Sequence, residues 1–392
     1  MAAVISRNDP AFDEALLDRA SVAFGVFDGV HEGHRFIIGE AVNTAREEGR
    51  ASAVITFDID PDEVFAADRL KKLMTNEARI AKLAELDVDA VVVLPFSREF
   101  AAQSPEDFLN ACFGGGVPSH IHIGSDFHFG RKAAGNVESL RVWGAERGME
   151  VHGHELVAEG GRPVTATRIR GLLSEGRARE AADLLGRPYE LSGLVRPGRG
   201  EGRDFGFATA NLEVPPMLLA VGEGVYACYA VVEGARYKAA VNVGVPATFA
   251  DTAKENIEVH LLDFNENIYG QDIEVEFIEW LRPMRAFEST DELIATVQSN
   301  IAWVRENLKR NRASLSVRAV FEELVVLDDG VGLQGVLGLL LGVGFHGLAE
   351  PVPRSLSIPV SVQVHGGQRL AQSRSVQGAG VAGQPRCIQE QA

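Results

Sequence analysis

The sequence predicts an α/β domain with a doubly wound parallel sheet, followed by an antiparallel β-barrel that ends in a helix. Two patterns lead to this prediction. From residue 20 to about 160, β-rich runs alternate with segments whose apolar residues recur at the helical period, which is typical of parallel βαβ units. From Tyr189 to Trp280, short alternating strands are separated by Gly, Pro and Asn turns, which is typical of antiparallel barrels.

Composition agrees with two separate cores in one enzyme-sized chain. The 392 residues are 46% hydrophobic and 24% charged, as in ordinary globular proteins. The net charge of −17 argues against electrostatic capture of nucleic acid or an anionic membrane, so local groups must hold any anionic ligand. Three widely spaced cysteines match no zinc spacing and suit a reducing cytoplasm. The start, MAAVISRNDPAFDEALL, does not resemble a signal peptide.

The predicted elements of the first domain follow one another in strict alternation. The strands are SVAFGVF, ASAVITF, VDAVVVLPF, SHIHIGSDF and MEVHGHELV. Between them lie the helical segments HRFIIGEAVNTAREEG, NEARIAKLAELD, SPEDFLNACF and VESLRVWGAERG. Ligands of such sheets bind at the carboxyl ends of the strands, and FDGVHEGH follows the first strand in this list.

The stretch GVFDGVHEGHR, residues 25–35, therefore lies at the predicted binding edge. Backbone N–H groups at a helix N-terminus attract phosphate, glycines permit close approach, and imidazoles donate hydrogen bonds to phosphate oxygens. We interpret it as a phosphate cradle formed by Gly25, Phe27, Asp28, His31, Gly33 and His34. Two alternatives stay open: a polar helix cap, and a metal site, for which the histidine spacing is not i, i+4 and no third ligand is evident.

The second domain begins where LLGRPYE stops the preceding helix at Gly186 and Pro188. This predicts domains at 1–186 and 187–311 and a tail at 312–392. The barrel strands are YELSGLV, GVYACYAVV, YKAAVNV, IEVHLLDF and IEVEFIEW. STDELIATVQSNIAWVRENLKR then predicts an amphipathic helix with Ser289 or Thr290 as its N-cap.

A glycine-dense loop, GLVRPGRGEGRDFGFATANL, is the second candidate phosphate site. Its backbone N–H groups, with Gly198 and Gly202, can surround phosphates while arginines such as Arg203 offset the charge. The lysine-serine ending of a Walker loop is missing, and a flexible surface hairpin is the structural alternative.

These stretches together resemble one family. GVFDGVHEGH is similar to the nucleotidyltransferase signature of bacterial bifunctional riboflavin kinase/FAD synthetases, and further stretches match that family in the same order over residues 15–310: IGSDFHFGRKAAG, TATRIRGLLSEG, the glycine-dense loop, VNVGVPATF, NIEVHLLDF and WLRPMRAF. Each motif alone is weakly to moderately specific, but seven motifs in the same order are strongly specific for the family.

For the first domain, the resemblance implies transfer of AMP from ATP to FMN with release of pyrophosphate. His31, His34 and Arg170 have the chemistry to offset charge on the phosphates. By motif matching, Thr165 and Thr167 contact the phosphates and Asp126 contacts the flavin. Without the histidine motif, the TATRIR segment would be interpreted as a helix with a threonine N-cap and solvated arginines.

Two departures from the family pattern concern this reaction. The family usually has TFxPHP, whereas TFDIDP places Asp60 where the histidine would be. Thr165 and Ala166 replace the family's serine pair ahead of the arginine motif. A carboxylate near phosphates is unfavourable unless it helps to hold Mg²⁺, a role that Asp60 could take.

For the barrel, the resemblance implies phosphorylation of riboflavin to FMN. Thr209 and Asn211 are then the residues that hold Mg²⁺ and the ATP phosphates, and as alternate residues of one strand they share a face. Ala208 stands in place of the usual proline. Glu258 would accept the proton of the riboflavin 5′-hydroxyl, although an outward glutamate on a half-exposed strand is the plain alternative. Arg282 and Phe287 would close over the flavin, with Arg285 as another candidate, and a helix-capping loop is the alternative for this segment.

The sequence thus predicts a cytoplasmic bifunctional enzyme that uses ATP and Mg²⁺ to make FMN and then FAD, with no nucleic-acid or membrane partner. One rival is a riboflavin kinase whose first domain only binds ligand, and another is a flavin-binding protein without turnover. His152 and His154 share a strand face without evident partners, and no metal is assigned there. The tail has an apolar stretch too short to span a membrane and then a segment of disordered composition, and we expect it to be non-catalytic.

Overall fold

The computed structural model of the chain describes residues 1–10, 12–66, 71–198, 207–244 and 256–309. The predicted tail, Gly202 and Arg203 lie outside them. The first part of the chain forms a parallel sheet of order β1-β4-β3-β2-β5-β6. Its strands are β1 (Ala3–Ser6), β2 (Ser21–Phe24), β3 (Ser52–Phe57), β4 (Ala90–Leu94), β5 (His120–Gly124) and β6 (Glu150–His154).

Helices cover both faces of this sheet, as the doubly wound prediction requires. They are α1 (Glu32–Glu48), α2 (Pro61–Ala66), α3 (Asn76–Ala84), α4 (Arg98–Ala101), α5 (Pro105–Phe113) and α6 (Val137–Ala145). Helices α1 and α3 share a core with one face of the central strands, and α5 and α6 share a core with the other. The central strands β2, β3 and β4 are buried at every residue, because both of their faces are covered.

The structure adds one strand that the sequence pattern did not predict. Strand β1 pairs with β4 and extends the sheet at its edge. Three of its four residues are apolar, but the segment is short, mostly exposed and without the alternation that marks a half-buried strand. The predicted SVAFGVF strand is also shortened and ends at Phe24, because the next residues leave the sheet as a loop in which Phe27 and Gly29 have φ of 62° and 77°.

A small hairpin and a pair of helices follow the sheet. The hairpin consists of β7 (Ala158–Glu159) and β8 (Arg162–Pro163), and the helices are α7 (Ala166–Ser174) and α8 (Ala178–Leu185). Helix α8 ends at Gly186, whose φ of 70° suits a glycine C-cap. The predicted stop signal is therefore confirmed.

The remaining strands form a closed antiparallel barrel of order β10-β13-β12-β11-β14-β9, with β9 paired to β10. They are β9 (Tyr189–Arg196), β10 (Ala210–Glu213), β11 (Gly224–Val232), β12 (Ala235–Val243), β13 (Ile257–Leu261) and β14 (Asp272–Arg282). Alternate residues point inward, as in β13, where Ile257, Val259 and Leu261 are buried. The predicted fold of both parts is thus confirmed.

Helix α9 (Thr290–Asn307) packs against the outside of the barrel. Ser289 is its N-cap and accepts a hydrogen bond from the Glu292 N–H at 3.2 Å. Ile301 and Val304 of the helix pack with Ala227 and Tyr229 of β11. No helix within the described part of the chain is long and apolar enough to cross a membrane.

The α7–α8 pair joins the sheet domain to the barrel. Its apolar residues belong to the same core cluster as the barrel interior, and Leu73 of the sheet domain is part of that cluster. Lys72 also forms backbone hydrogen bonds with the barrel side, donating to Met217 at 2.8 Å and accepting from Leu219 at 2.9 Å. Arg187 Nη2 donates to the Gly29 carbonyl oxygen at 2.9 Å. The loop after β2 is therefore held by the start of the barrel.

Candidate active sites

The loop between β2 and α1 holds the first candidate site. Phe27 adopts a left-handed conformation, and its ring lies against Gly25, where a Cβ would be 3.0 Å from ring carbons. Gly25 is therefore needed for this packing. His31 ends the loop as the N-cap of α1, because its Nδ1 accepts a hydrogen bond from the His34 N–H at 3.3 Å. The alternative interpretation as a polar helix cap is therefore confirmed for His31 Nδ1.

The two histidines of this loop stack on each other. Their ring centroids are 3.5 Å apart with an interplanar angle of 19°, and the Phe27 ring meets His34 edge-on. Burial lowers the pKa of His31 to about 4, and burial together with His31 lowers the pKa of His34 well below its ordinary value. Both imidazoles are therefore neutral at pH 7. Since His31 Nδ1 is an acceptor, its proton lies on Nε2, which leaves that atom as a donor.

A second helix N-terminus lies beside the first. A Cβ on Gly33 would lie 3.2 Å from the His31 ring and 3.4 Å from the Val164 carbonyl oxygen, which directly precedes α7. Thr165 caps α7, and its hydroxyl oxygen accepts from the Arg168 N–H at 3.2 Å. Thr167, in the first turn, is exposed. Because both helices offer unpaired N–H groups at their N-termini, the arrangement favours an anion here.

Arg170 is anchored at this site by an acidic side chain of the histidine loop. Its Nη2 donates to Asp28 Oδ2 at 2.5 Å and its Nε donates to the Lys71 carbonyl oxygen at 2.7 Å. The Leu73 N–H also donates to Asp28 Oδ1, at 3.3 Å. Burial raises the pKa of Asp28, while Arg170 acts in the opposite direction. The ion pair therefore fixes the position of the guanidinium.

Asp60 is buried next to this ion pair, with 5% of its surface exposed. Its Oδ1 accepts from the Asp62 N–H at 2.9 Å, and its own N–H donates to Glu63 Oε1 at 3.1 Å, so it caps the start of α2. Burial raises the pKa of Asp28 and of Asp62, and the negative charge of Asp60 raises both further. Two carboxylates, of Asp28 and Asp60, thus lie close enough to influence each other.

Asp126 lies where the sequence predicts a ligand-contacting residue, two positions after the carboxyl end of β5. Its carboxylate is exposed, and Oδ1 folds back toward Gly124, where a Cβ would be 2.8 Å away. The histidine loop follows β2, which pairs with β5, so both lie at the carboxyl edge of adjacent strands. The sheet therefore brings Asp126 to the same edge as the histidine loop.

The second candidate site lies on the outer face of the barrel. The register aligns Asn211 of β10, Glu258 of β13 and Asn242 of β12, all half-buried, in one row across three strands. Glu258 Oε1 accepts a hydrogen bond from Asn256 Nδ2 at 2.8 Å. A Cβ on Gly198 would lie 1.9 Å from the Asn211 amide nitrogen, so only glycine lets the loop backbone approach that side chain.

His260 is a residue of this face to which sequence reasoning assigned no role. Its Nδ1 lies 2.9 Å from the Ala208 carbonyl oxygen, which accepts the hydrogen bond, and its ring meets Phe207 edge-on. The contact fixes the chain just before Thr209, which is half-buried and directly precedes β10. The alternation of Glu258 and His260 along β13 was the available signal, since such residues share a face.

The candidate flavin contacts lie at the end of β14. The row continues from Asn242 to Val225 of β11 and on to Arg282, which places Arg282 roughly 14 Å from Glu258 along the barrel wall. The guanidinium carbons of Arg282 and Arg285 lie 5.7 and 5.0 Å from the centroid of the Phe287 ring. Burial and the neighbouring Arg285 lower the pKa of Arg282. The barrel thus brings these three residues together at one end.

Comparison with known proteins gives two family matches. Residues 13–168 match the model for FAD synthetase, and residues 185–308 match the model for riboflavin kinase. These ranges correspond to the sheet domain and the barrel with its helix. The first candidate site lies within the first range except for Arg170, and the described residues of the second site lie within the second range.

Similar proteins include curated bacterial relatives called bifunctional riboflavin kinase/FMN adenylyltransferase. The protein of Listeria monocytogenes is 34% identical over 281 residues, which is 71% of this chain and 89% of the relative. The Bacillus subtilis protein is 33% identical, covering 72% and 90%, and the Escherichia coli K12 protein is 32% identical, covering 73% and 91%. A solved structure named macrolide-efflux protein, from Streptococcus pneumoniae, matches with a TM-score of 0.65 and 26% identity over 78% of this chain and 99% of that one.

Proposed function

The chain belongs to the family of bifunctional riboflavin kinase/FMN adenylyltransferases, and from this premise we propose which residues of each module carry out its reaction. It is an enzyme that phosphorylates riboflavin to FMN and then transfers AMP from ATP to FMN, releasing pyrophosphate. We assign adenylyl transfer to residues 1–186 and phosphorylation to residues 187–311. The two buried cysteines that are described, Cys112 and Cys228, are unpaired, which supports a reducing cytoplasm as its compartment.

The observation that carries the adenylyl assignment is the stacked histidine pair at two adjoining helix N-termini. An FMN phosphate oxygen attacks the α-phosphorus of ATP, and negative charge grows on the departing pyrophosphate. Neutral His31 offers its Nε2–H to such an oxygen, while His34 supports that ring by stacking. Burying a neutral imidazole costs less free energy than burying an imidazolium ion. The neutral histidines can therefore stay in a site with little solvent.

Arg170 supplies the fixed positive charge of this site. Asp28 and the Lys71 carbonyl oxygen hold Nη2 and Nε of the guanidinium, and Nη1 can face phosphate oxygens. Gly25, Phe27 and Gly33 shape the cradle, Thr165 and Thr167 bring the N-terminus of α7 to the phosphates, and Asp126 contacts the flavin. We also propose that Asp60, with Asp28 near it, helps to hold Mg²⁺, because paired carboxylates are suitable ligands for this ion.

In the barrel, Glu258 is the proton acceptor for the riboflavin 5′-hydroxyl. Its hydrogen bond from Asn256 orients the carboxylate outward, and its place beside Asn211 puts base and phosphate ligands in one row. Thr209 and Asn211 offer a hydroxyl and an amide oxygen next to this carboxylate, an all-oxygen set that fits Mg²⁺. When bound there, Mg²⁺ neutralises charge on the ATP phosphates. Arg282, Phe287 and Arg285 enclose the flavin ring, and Gly198, Gly202 and Arg203 contact the phosphates.

A product assay tests this division of labour. The full chain, with riboflavin, ATP and Mg²⁺, should yield FMN first and FAD after it, separated by chromatography. The kinase-only alternative rests on Asp60 and Ala166 and predicts that FMN accumulates without FAD. Bound flavin without ATP consumption would contradict both versions.

A further inference from the structure

Histidines from two neighbouring strands meet at the edge of the sheet. The parallel register of β5 and β6 places His120 beside Glu150 and His122 beside His152. His120 Nδ1 lies 3.0 Å from His152 Nε2, and the Glu150 oxygens lie 3.9 Å from the first nitrogen and 3.8 Å from the second. Within the described ranges, His120, Glu150 and His152 are the group of three potential metal ligands whose donor atoms all lie within 4.8 Å of one another.

We propose that His120, His152 and Glu150 bind a divalent transition-metal ion of the Zn²⁺ type. In tetrahedral zinc sites, nitrogen and carboxylate ligands lie about 2.0–2.2 Å from the ion, so donor atoms are about 3.4 Å apart. The two nitrogens are 3.0 Å apart, Glu150 Oε2 lies 3.9 Å from His120 Nδ1 and Glu150 Oε1 lies 3.8 Å from His152 Nε2, so the separations lie on either side of this value. A small rotation of the carboxylate would bring one oxygen within reach of both nitrogens. Three protein ligands leave the fourth position to a water molecule.

The second ring nitrogen of His120 supports this assignment. Its Nε2 lies 2.9 Å from Glu48 Oε1 at the end of α1. A carboxylate only accepts, so His120 carries its proton on Nε2 and leaves the lone pair of Nδ1 directed toward His152 and Glu150. Carboxylate–histidine pairs of this kind orient metal ligands and increase their basicity. Glu48 is therefore a positioning residue for the proposed site.

A second histidine pair, His122 and His154, lies next to the first. His122, with 2% of its surface exposed, stacks on His152 at 4.6 Å between centroids, and its Nδ1 lies 3.0 Å from His154 Nε2. The stacking contact with His122 therefore helps to fix the ring orientation of the proposed ligand His152.

The proposed metal site is separate from both reactions. His120 and Glu150 begin their strands, whereas the histidine loop and Asp126 lie at the carboxyl ends of the sheet. Among the sheet's strands, β6 pairs with β5 alone. A metal bound here would join this edge strand to β5 and, through Glu48, to α1. The site therefore stabilises the sheet domain.

Zinc titration of the full chain against a chromophoric chelator tests the proposal. Wild-type protein should bind one more Zn²⁺ than the double variant His120→Gln/His152→Gln. His128→Gln is the matched control, because His128 is exposed and lies outside the cluster. Saturating Zn²⁺ should raise the Tm of the wild type by roughly 5 °C, and the double variant should lose this rise. Glu48→Gln, which changes no ligand, should weaken zinc binding about 10- to 100-fold.

His152 is 30% exposed and His120 is 11% exposed, and circular dichroism will verify that the variants fold. FAD formation from FMN should be the same in the wild type and the double variant. Equal zinc stoichiometry and affinity in these two proteins would overturn the proposal. So would a loss in His128→Gln as large as that in the double variant.

Discussion

The two sites proposed to bind ATP phosphates lie in different surroundings. In the sheet domain, His31, Asp28 and Asp60 are buried and His34 is half-buried, and burial shifts the pKa of both histidines and of Asp28. On the barrel, Asn211 and Glu258 lie half-buried on an outer face, above an interior that is filled independently. We therefore expect substitutions to change both rate and stability in the first site, and rate alone in the second.

The largest effect is expected at the barrel, where it should appear without loss of fold. Glu258→Gln keeps the shape of the side chain but removes the proton acceptor, so riboflavin phosphorylation should fall by roughly 10²- to 10⁴-fold. The rate is measured as FMN formed from riboflavin and ATP. FMN supplied directly should still become FAD.

Glu306→Gln, on the exposed face of α9, is the matched control and should keep full kinase activity. If Glu258→Gln abolished FAD formation from added FMN while the protein stayed folded, the two sites would not be independent. A shared flavin site would then replace the two-site arrangement.

In the sheet domain, the corresponding substitution should affect both rate and stability. His34→Ala removes the ring that stacks on His31, the proposed donor to the phosphates. Loss of one donor to developing phosphate charge typically costs about 10²- to 10³-fold in rate, and we expect an effect of this size. FMN should accumulate from riboflavin while FAD formation falls. The Tm should also drop, since His34 packs between His31 and Phe27, whereas Glu47→Ala, at an exposed position of α1, should change neither quantity.

The contrast between the sites also predicts how stability depends on pH. His31 has a folded pKa of about 4, below the ordinary value of 6.5, so the unfolded chain binds more protons between these values. This contribution to stability is complete above pH 6.5 and is lost as the pH falls toward 4. At pH 5 the loss from His31 is about 2 kcal/mol. Urea unfolding at pH 7 and pH 5 measures it.

His31→Asn is the variant that isolates this effect, because asparagine still caps a helix but does not titrate. Its unfolding free energy should fall less between pH 7 and pH 5 than that of the wild type. An identical decrease in both proteins would show that His31 is not the group responsible.

How far the sequence predicts this molecule depends on whether the signal is local. Strand and helix periodicities, the glycine stop at Gly186 and the cap at Ser289 are local, and the structure confirms them. Strand β1 is a short, mostly exposed apolar segment without alternation, and it was missed. The cluster around His120 and His152 depends on the pairing of strands 32 residues apart, which no local spacing encodes. The hydrogen bond from His260 to Ala208 was missed for the same reason.

The smallest expected effect concerns Asp60, and it separates two roles for a buried carboxylate near phosphates. If Asp60 helps to hold Mg²⁺, Asp60→Asn should raise the Mg²⁺ concentration that supports half-maximal FAD formation by a few-fold and leave FMN formation unchanged. Asparagine can still accept the hydrogen bond from the Asp62 N–H, so α2 should keep its cap. If Asp60 only repels the phosphates, the same change should instead lower the KM for ATP. Asp62→Asn, which neutralises an exposed neighbouring carboxylate, controls for the loss of one negative charge, and an unaltered Mg²⁺ titration in Asp60→Asn would reject the metal role.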